Sequence, residues 1–171
     1  MIAQAEKNAR SIRKGQKIEF QQIDINREEW ASSLPDGEWD GIFCFAVLHH
    51  IPGETPRKLL CARMRELLTV GKSCYVSVWQ PLNSPRLTRR IQPWENVGIH
   101  SSDVDSGDVL MDWRAHQTDW RKQPAFRFVH IFTVDELTDI ARASGFSVAD
   151  SYYSDGKKGN LGLYQRWVAK F

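Results

Sequence analysis

The stretch DGIFCFAVLHHIPG, residues 40–53, decides the fold of this chain. Asp40 to Leu48 is a continuous apolar run of strand length, closed off by Pro52 and Gly53. A run without polar alternation predicts a strand covered on both faces, as in a parallel sheet. Parallel strands need a crossover, and the following residues supply one. Thr55 to Leu68 predicts a helix with Leu59, Leu60, Met64, Leu67 and Leu68 on one face and Arg57, Lys58, Arg63, Arg65 and Glu66 elsewhere. Gly71 stops it. Ser73 to Trp79 (SCYVSVW) then predicts a second buried strand.

Towards the N-terminus, Ile2, Ala5, Ala9 and Ile12 recur at helical spacing, so Met1 to Arg13 predicts a helix ended by Gly15. Lys17 to Ile25 alternates and predicts a strand, and Leu34 to Gly37 is turn punctuation. Towards the C-terminus, residues 80–126 hold four prolines (Pro81, Pro85, Pro93, Pro124) and Trp94, Trp113 and Trp120 among charges, and predict an irregular insertion or lid. Thr133 with Glu136 three residues on predicts a capping box opening a helix that runs to Ser144 and stops at Gly145. Ser147 to Tyr153 and Leu161 to Ala169 predict two strands joined by the turn Ser154 to Gly159. The whole chain, 1–171, reads as a single α/β domain with an open sheet.

Composition sets further bounds. A chain of 171 residues that is 42% hydrophobic and 26% charged can build a core. Lys and Arg number 23 against 21 Asp and Glu, a net charge of +2, which argues against a mainly electrostatic nucleic-acid binder. Cys44, Cys61 and Cys74 show no metal-site spacing and predict buried, reduced thiols of a cytoplasmic protein. No apolar run approaches the ~20 residues of a membrane span, and the N-terminus is no secretory signal.

These strings together resemble the class I S-adenosylmethionine-dependent methyltransferases across nearly the whole chain. Asp24 in QIDIN matches the family's acidic residue after the third strand. Trp39-Asp40 with GIFCFAVLHHIP matches the fourth strand and its loop, and residues 55–79 match the helix, turn and fifth strand. FTVDELTDIARASGF matches the next helix, and the final strand pair matches the antiparallel edge. The strings CFAVLHHI, YVSVWQ, GDVLMDW and RFVHIFTVDEL, in that order, are similar to methyltransferases that esterify carboxymethyl groups on wobble uridines of tRNA.

The resemblance implies S-adenosylmethionine as cofactor, and as substrate either a tRNA base modification or a small-molecule carboxylate or hydroxyl. It also carries a departure. The family's glycine-rich turn after the first strand and the acidic residue ending the second have no counterpart here, and Met1 aligns with a methionine inside the helix after the second strand. The expectation is a partial Rossmann-like methyltransferase sheet lacking the family's first two strands. Such a chain would be an N-terminally truncated enzyme, or a non-catalytic subunit whose protein partner completes the sheet and the cofactor site.

The resemblance assigns Asp24 to the cofactor's adenine, with Ile25 packed on the ring; the alternative is an ordinary turn aspartate. Phe45, near the C-terminal end of its strand, either faces the methionine part of the cofactor or is core. His50 is a candidate catalytic residue, as orienting group or general base, and His49 a pocket residue. Adjacent histidines cannot face one way, so no shared metal is expected. Trp79 either lines the substrate pocket or is core. Arg127 and His130 match a pair near the substrate in the narrower family, Arg127 being able to clamp a carboxylate or phosphate; the alternative is a solvated arginine and a satisfied loop histidine. Arg86, Arg89, Arg90 and Trp94, with Arg114, Trp120, Arg121 and Lys122, mix cations and aromatics as single-strand binders do, but read better as a mixed surface.

Overall fold

In the computed structural model, which describes residues 18–27, 29–34, 39–113 and 125–171, the apolar run becomes strand β1 (Trp39–Phe45). Helix α1 (Glu54–Leu67) crosses over from it, and strand β2 (Leu68–Trp79) returns parallel to β1, with Ile42 opposite Cys74 and Phe45 opposite Ser77. The chain ends in the hairpin β6 (Phe146–Ser154) and β7 (Gly162–Ala169), antiparallel to each other. Strand β7 docks antiparallel on β2, giving the order β1-β2-β7-β6. Between β2 and β6 lie a one-turn helix α2 (Pro85–Thr88), strands β3 (Ile91–Gln92), β4 (Asp108–Trp113) and β5 (Ala125–His130), and helix α3 (Val134–Ala143). Strands β3, β4 and β5 form a separate antiparallel sheet.

One face of the larger sheet carries the core. Cys74, Val76 and Val78 of β2 and Leu163, Trp167 and Ala169 of β7 are buried at period two, and α1 and α3 pack on this side. Cys44, Cys61 and Cys74 are free and buried. Thr133 caps α3 as the sequence predicts, its Oγ1 accepting from the Glu136 N–H at 3.1 Å. The Glu136 carboxylate does not complete a capping box; it reaches His130 and Arg57 instead.

Several expectations need correction. The run 40–48 ends as a strand at Phe45, because Ala46 takes a left-handed backbone (φ 56°) and residues 48–50 form a 3₁₀ turn. Its faces are not equally covered among the described residues: Cys44 is buried, while Phe43 and Phe45 are 68% and 50% exposed, and β1 stands at the end of the four-strand order. On α1 the buried stripe is Arg57, Leu60, Cys61 and Met64, while Leu59 is exposed. Gly71 does not end the helix. It lies inside β2 at φ 81°, where the pairing with β1 shifts register. The segment 80–126 is not irregular throughout, since its described residues include α2, β3, β4 and the start of β5.

The chain divides into two compact units, Met1–Asp36 and Gly37–Phe171. In the first, the strand expected over 17–25 is absent among the described residues. Hydrogen bonds made there among the described residues are local ones: Arg27 N–H to Asp24 O at 3.2 Å, and Gln21 Nε2 to Ser33 O at 2.9 Å. The helix expected over 1–13 lies outside the described residues.

Candidate active site

Strands β1 and β2 run parallel, so their C-terminal ends lie side by side, the place where open α/β sheets bind ligands. A cleft of about 530 Å³ opens there. Phe45 from β1, Ala46, His49 and His50 from the following turn, and Ser77, Val78 and Trp79 from β2 form one part of its wall. Arg127 from β5, and Asp155, Leu161, Gly162 and Tyr164 from the terminal hairpin, form the rest.

The turn after β1 is built by one backbone decision. Ala46 sits at positive φ, costly for a residue with a Cβ, and is held there by its N–H, which meets the Ser77 carbonyl at 3.0 Å and the Ser77 Oγ at 3.2 Å. The chain then turns so that the two histidines reach the cleft.

Their environments differ. His49 is buried, and its Nδ1 accepts from the Trp79 backbone N–H at 3.2 Å. That bond requires an unprotonated Nδ1. Burial, reinforced by His50 and the Arg127 guanidinium nearby, pushes its pKa down to about 3, so the ring is neutral at physiological pH. His50 is exposed to the cleft; its Nδ1 lies 3.0 Å from the Phe128 carbonyl of β5, to which it must donate. The neutral ring therefore offers Nε2 as an acceptor. The two rings are 4.2 Å apart, tilted at 56°.

Arg127 is half-buried, with its guanidinium carbon 4.7 Å from the Trp79 ring centre, a cation–π contact that holds the planar fork at the cleft wall. Burial first, and then Arg90, lowers its pKa. Arg90 is itself engaged by Asp112, Nε to Oδ1 at 2.6 Å. Across the cleft the Tyr164 hydroxyl donates to Asp155, which raises the tyrosine's pKa to about 12. The Tyr164 ring is stacked on Tyr152 and meets Phe45 edge-on at 6.2 Å.

Of the candidates from sequence, the structure brings Phe45, His49, His50, Trp79 and Arg127 together. His130 does not line the cleft. It is 2% exposed, with Nδ1 2.5 Å from Asp108 Oδ1 and Nε2 2.7 Å from Glu136 Oε1. Asp24 and Ile25 belong to the first compact unit. There the Asp24 carboxylate accepts from Asn26 N–H at 3.1 Å and lies 3.7 Å from Arg27 Nε, an Asx turn in its own segment. Sequence reasoning missed Ser77, Asp155 and Tyr164. The only signal was the Asp155-Gly156 turn, which marks the hairpin but says nothing of where its residues face. Among the described residues no cluster of three or more His, Cys, Asp or Glu is placed to hold a metal ion, and no helix is long and apolar enough to cross a membrane.

No family model and no curated sequence matches the chain. Solved structures do. An S-adenosylmethionine-dependent methyltransferase from Methanosarcina mazei aligns over 99% of this chain and 77% of its own, at 19% identity and a TM-score of 0.69. One from Clostridium acetobutylicum aligns over 99% and 71%, at 10% identity and a TM-score of 0.64. The magnesium protoporphyrin IX methyltransferase of Synechocystis, solved with bound S-adenosylhomocysteine, aligns over 99% and 60%, at 15% identity and a TM-score of 0.56. The chain is therefore built on the Rossmann-like α/β fold that these class I methyltransferases share.

Proposed function

We propose that this chain is a methyltransferase that uses S-adenosylmethionine and acts in the cytoplasm on an acceptor bearing a carboxylate or hydroxyl, either a small molecule or a modified base of tRNA. The observation that carries this reading is the convergence of Phe45, His50, Trp79 and Arg127 on one cleft at the C-terminal ends of β1 and β2, in a methyltransferase fold.

The residues present suit the reactive end of the cofactor. Exposed Phe45, with the ring of Tyr164 beside it and the Asp155 carboxylate close by, is a surface on which a sulfonium cation is favoured. The cofactor supplies an electrophilic methyl group, and the protein supplies placement. Arg127, held on Trp79, presents a bidentate fork to an acceptor carboxylate or phosphate. A carboxylate attacks directly and needs only in-line alignment. A hydroxyl must lose its proton, and His50 Nε2 is the available acceptor because Nδ1–H is committed to Phe128 O. Neutral His49 adds no charge of its own to the cleft wall.

The test is calorimetric titration of the 171-residue chain with S-adenosylmethionine and S-adenosylhomocysteine, followed by methyl transfer to a panel of aromatic and aliphatic carboxylates and to unfractionated tRNA. Saturable binding at micromolar concentration is expected. A folded chain that binds neither nucleoside would overturn the reading.

A further inference from the structure

We infer that Arg57 and His130 form a buried positioning unit that sets where His50 sits in the cleft; its catalytic consequence rests on the reading above, its structural consequence does not. Arg57 is 1% exposed, though it lies on a helix. Its Nε donates to the Ile51 carbonyl at 3.0 Å, the residue next to His50. Its Nη1 is 3.4 Å from Glu136 Oε1, its Nη2 is 3.8 Å from Asp108 Oδ1, and its guanidinium carbon stands 5.3 Å from the centre of the Phe132 ring. The same two carboxylate oxygens hold His130, one on each ring nitrogen. Arg57 of α1 and His130 of β5 thus share two oxygens, one from Asp108 of β4 and one from Glu136 of α3.

The cluster is connected to His50 by two short routes. The backbone route runs from Arg57 Nε to Ile51 O, which fixes the carbonyl immediately after the histidine. The ring route runs through β5. His130 fastens the end of that strand, and two residues earlier Phe128 gives its carbonyl to His50 Nδ1. The backbone N–H of Ile131 in turn bonds the Gly107 carbonyl at 2.8 Å, beside Asp108.

Burying such groups gains little over apolar packing of the same volume, so net stability is a weak reason for the arrangement. Geometry is the stronger one. Hydrogen bonds to a carbonyl and two carboxylates are directional, and an apolar core would leave the turn at 48–51 free to settle in more than one way. Because both carboxylates are shared, loss of either Arg57 or His130 disturbs both routes at once. His130 is then a positioning residue, acting through Phe128 and His50, and not a group that touches substrate.

The experiment is nitrogen NMR of the histidine rings in the full chain, without substrate, with His50 assigned through His50→Asn. The wild type is expected to show His50 in the Nδ1–H tautomer when neutral. In Arg57→Lys and His130→Asn, each checked for cooperative thermal unfolding, that tautomer bias is expected to collapse. Turnover should fall about ten- to a hundredfold with KM for the cofactor unchanged. Trp167→Phe, a core change elsewhere on β7, should leave the His50 signals as in the wild type. Should either variant fail to fold, Glu136→Gln at the part-exposed rim of the cluster takes its place. Folded Arg57→Lys and His130→Asn chains with wild-type His50 resonances would overturn the inference, as would Trp167→Phe moving them equally. A tautomer shift in a chain that binds no cofactor would uphold the positioning and sink the methyltransferase reading alone.

Discussion

The backbone N–H of Trp79 donates to Nδ1 of His49 across 3.2 Å, joining the end of β2 to the turn that follows β1. This bond exists only while the buried imidazole is neutral, which ties the integrity of the cleft wall to pH. The folded-state pKa of His49, about 3, lies below its ordinary value of 6.5. The stability contributed by the neutral ring is therefore full above pH 6.5 and is lost as the pH falls from there toward 3. His49→Gln keeps an acceptor for the Trp79 N–H without titrating. Between pH 7 and 4.5, urea unfolding should show the wild type losing about 1–3 kcal/mol more than this variant. Parallel pH profiles would show that the ring is not held neutral.

Arg127 is expected to act on the acceptor and not on the cofactor. Arg127→Met removes the fork while leaving the Trp79 ring covered. It should lower kcat/KM for anionic acceptors by about ten- to a hundredfold, mainly through KM, and leave the calorimetric Kd for S-adenosylhomocysteine unchanged. Arg127→Lys should recover only part of the loss, because an ammonium cannot present two parallel donors. Equal losses for neutral and anionic acceptors would remove the arginine from substrate recognition.

The β1–α1–β2 unit, the Thr133 cap and the terminal hairpin were legible because each is dictated locally, by an apolar run, a side-chain oxygen at the right offset, or a turn dipeptide. The burial of Arg57 was not legible: its charge placed it off the apolar face in the sequence, yet it shares the buried helical stripe of Leu60, Cys61 and Met64. What makes it tolerable is a pair of carboxylates 51 and 79 residues away, which no local pattern announces. The short strands β3 and β4 were hidden for a similar reason: prolines and charges mask two- and six-residue strands whose pairing is tertiary. Asp155 and Tyr164 read as hairpin residues, and only the docking of β7 on β2 brings them to the cleft.

Gly107 is the backbone hinge of the buried cluster. Its φ is +91°, and a Cβ there would lie 3.0 Å from the Ile131 carbonyl oxygen and 3.1 Å from His130 Cε1. Gly107→Ala should therefore combine backbone strain with displacement of the His130 ring and cost about 2–4 kcal/mol in urea unfolding. Gly98→Ala, at φ +74° with nothing within 4 Å, carries the strain without the clash and should cost about 1 kcal/mol. Equal costs would mean that His130 is not tightly held.

The three cysteines should be silent in the native state. Burial pushes the Cys44 thiol up to about 12 and raises Cys61 and Cys74 further from the reactive range, with the neighbouring thiols adding to the effect. The thiolate is the nucleophile, so a buried thiol of this kind reacts only when the surrounding structure opens. With an aromatic disulfide reagent at pH 8, none of the three is expected to react on the timescale of a free thiol, and all should react together once α1 lifts from β1 and β2. Their common rate then measures that opening directly. Saturable cofactor binding that slowed it would show that the ligand stabilises the β1–α1–β2 unit. A single fast cysteine in the native chain would show that the core beneath α1 is looser than its near-zero exposure implies.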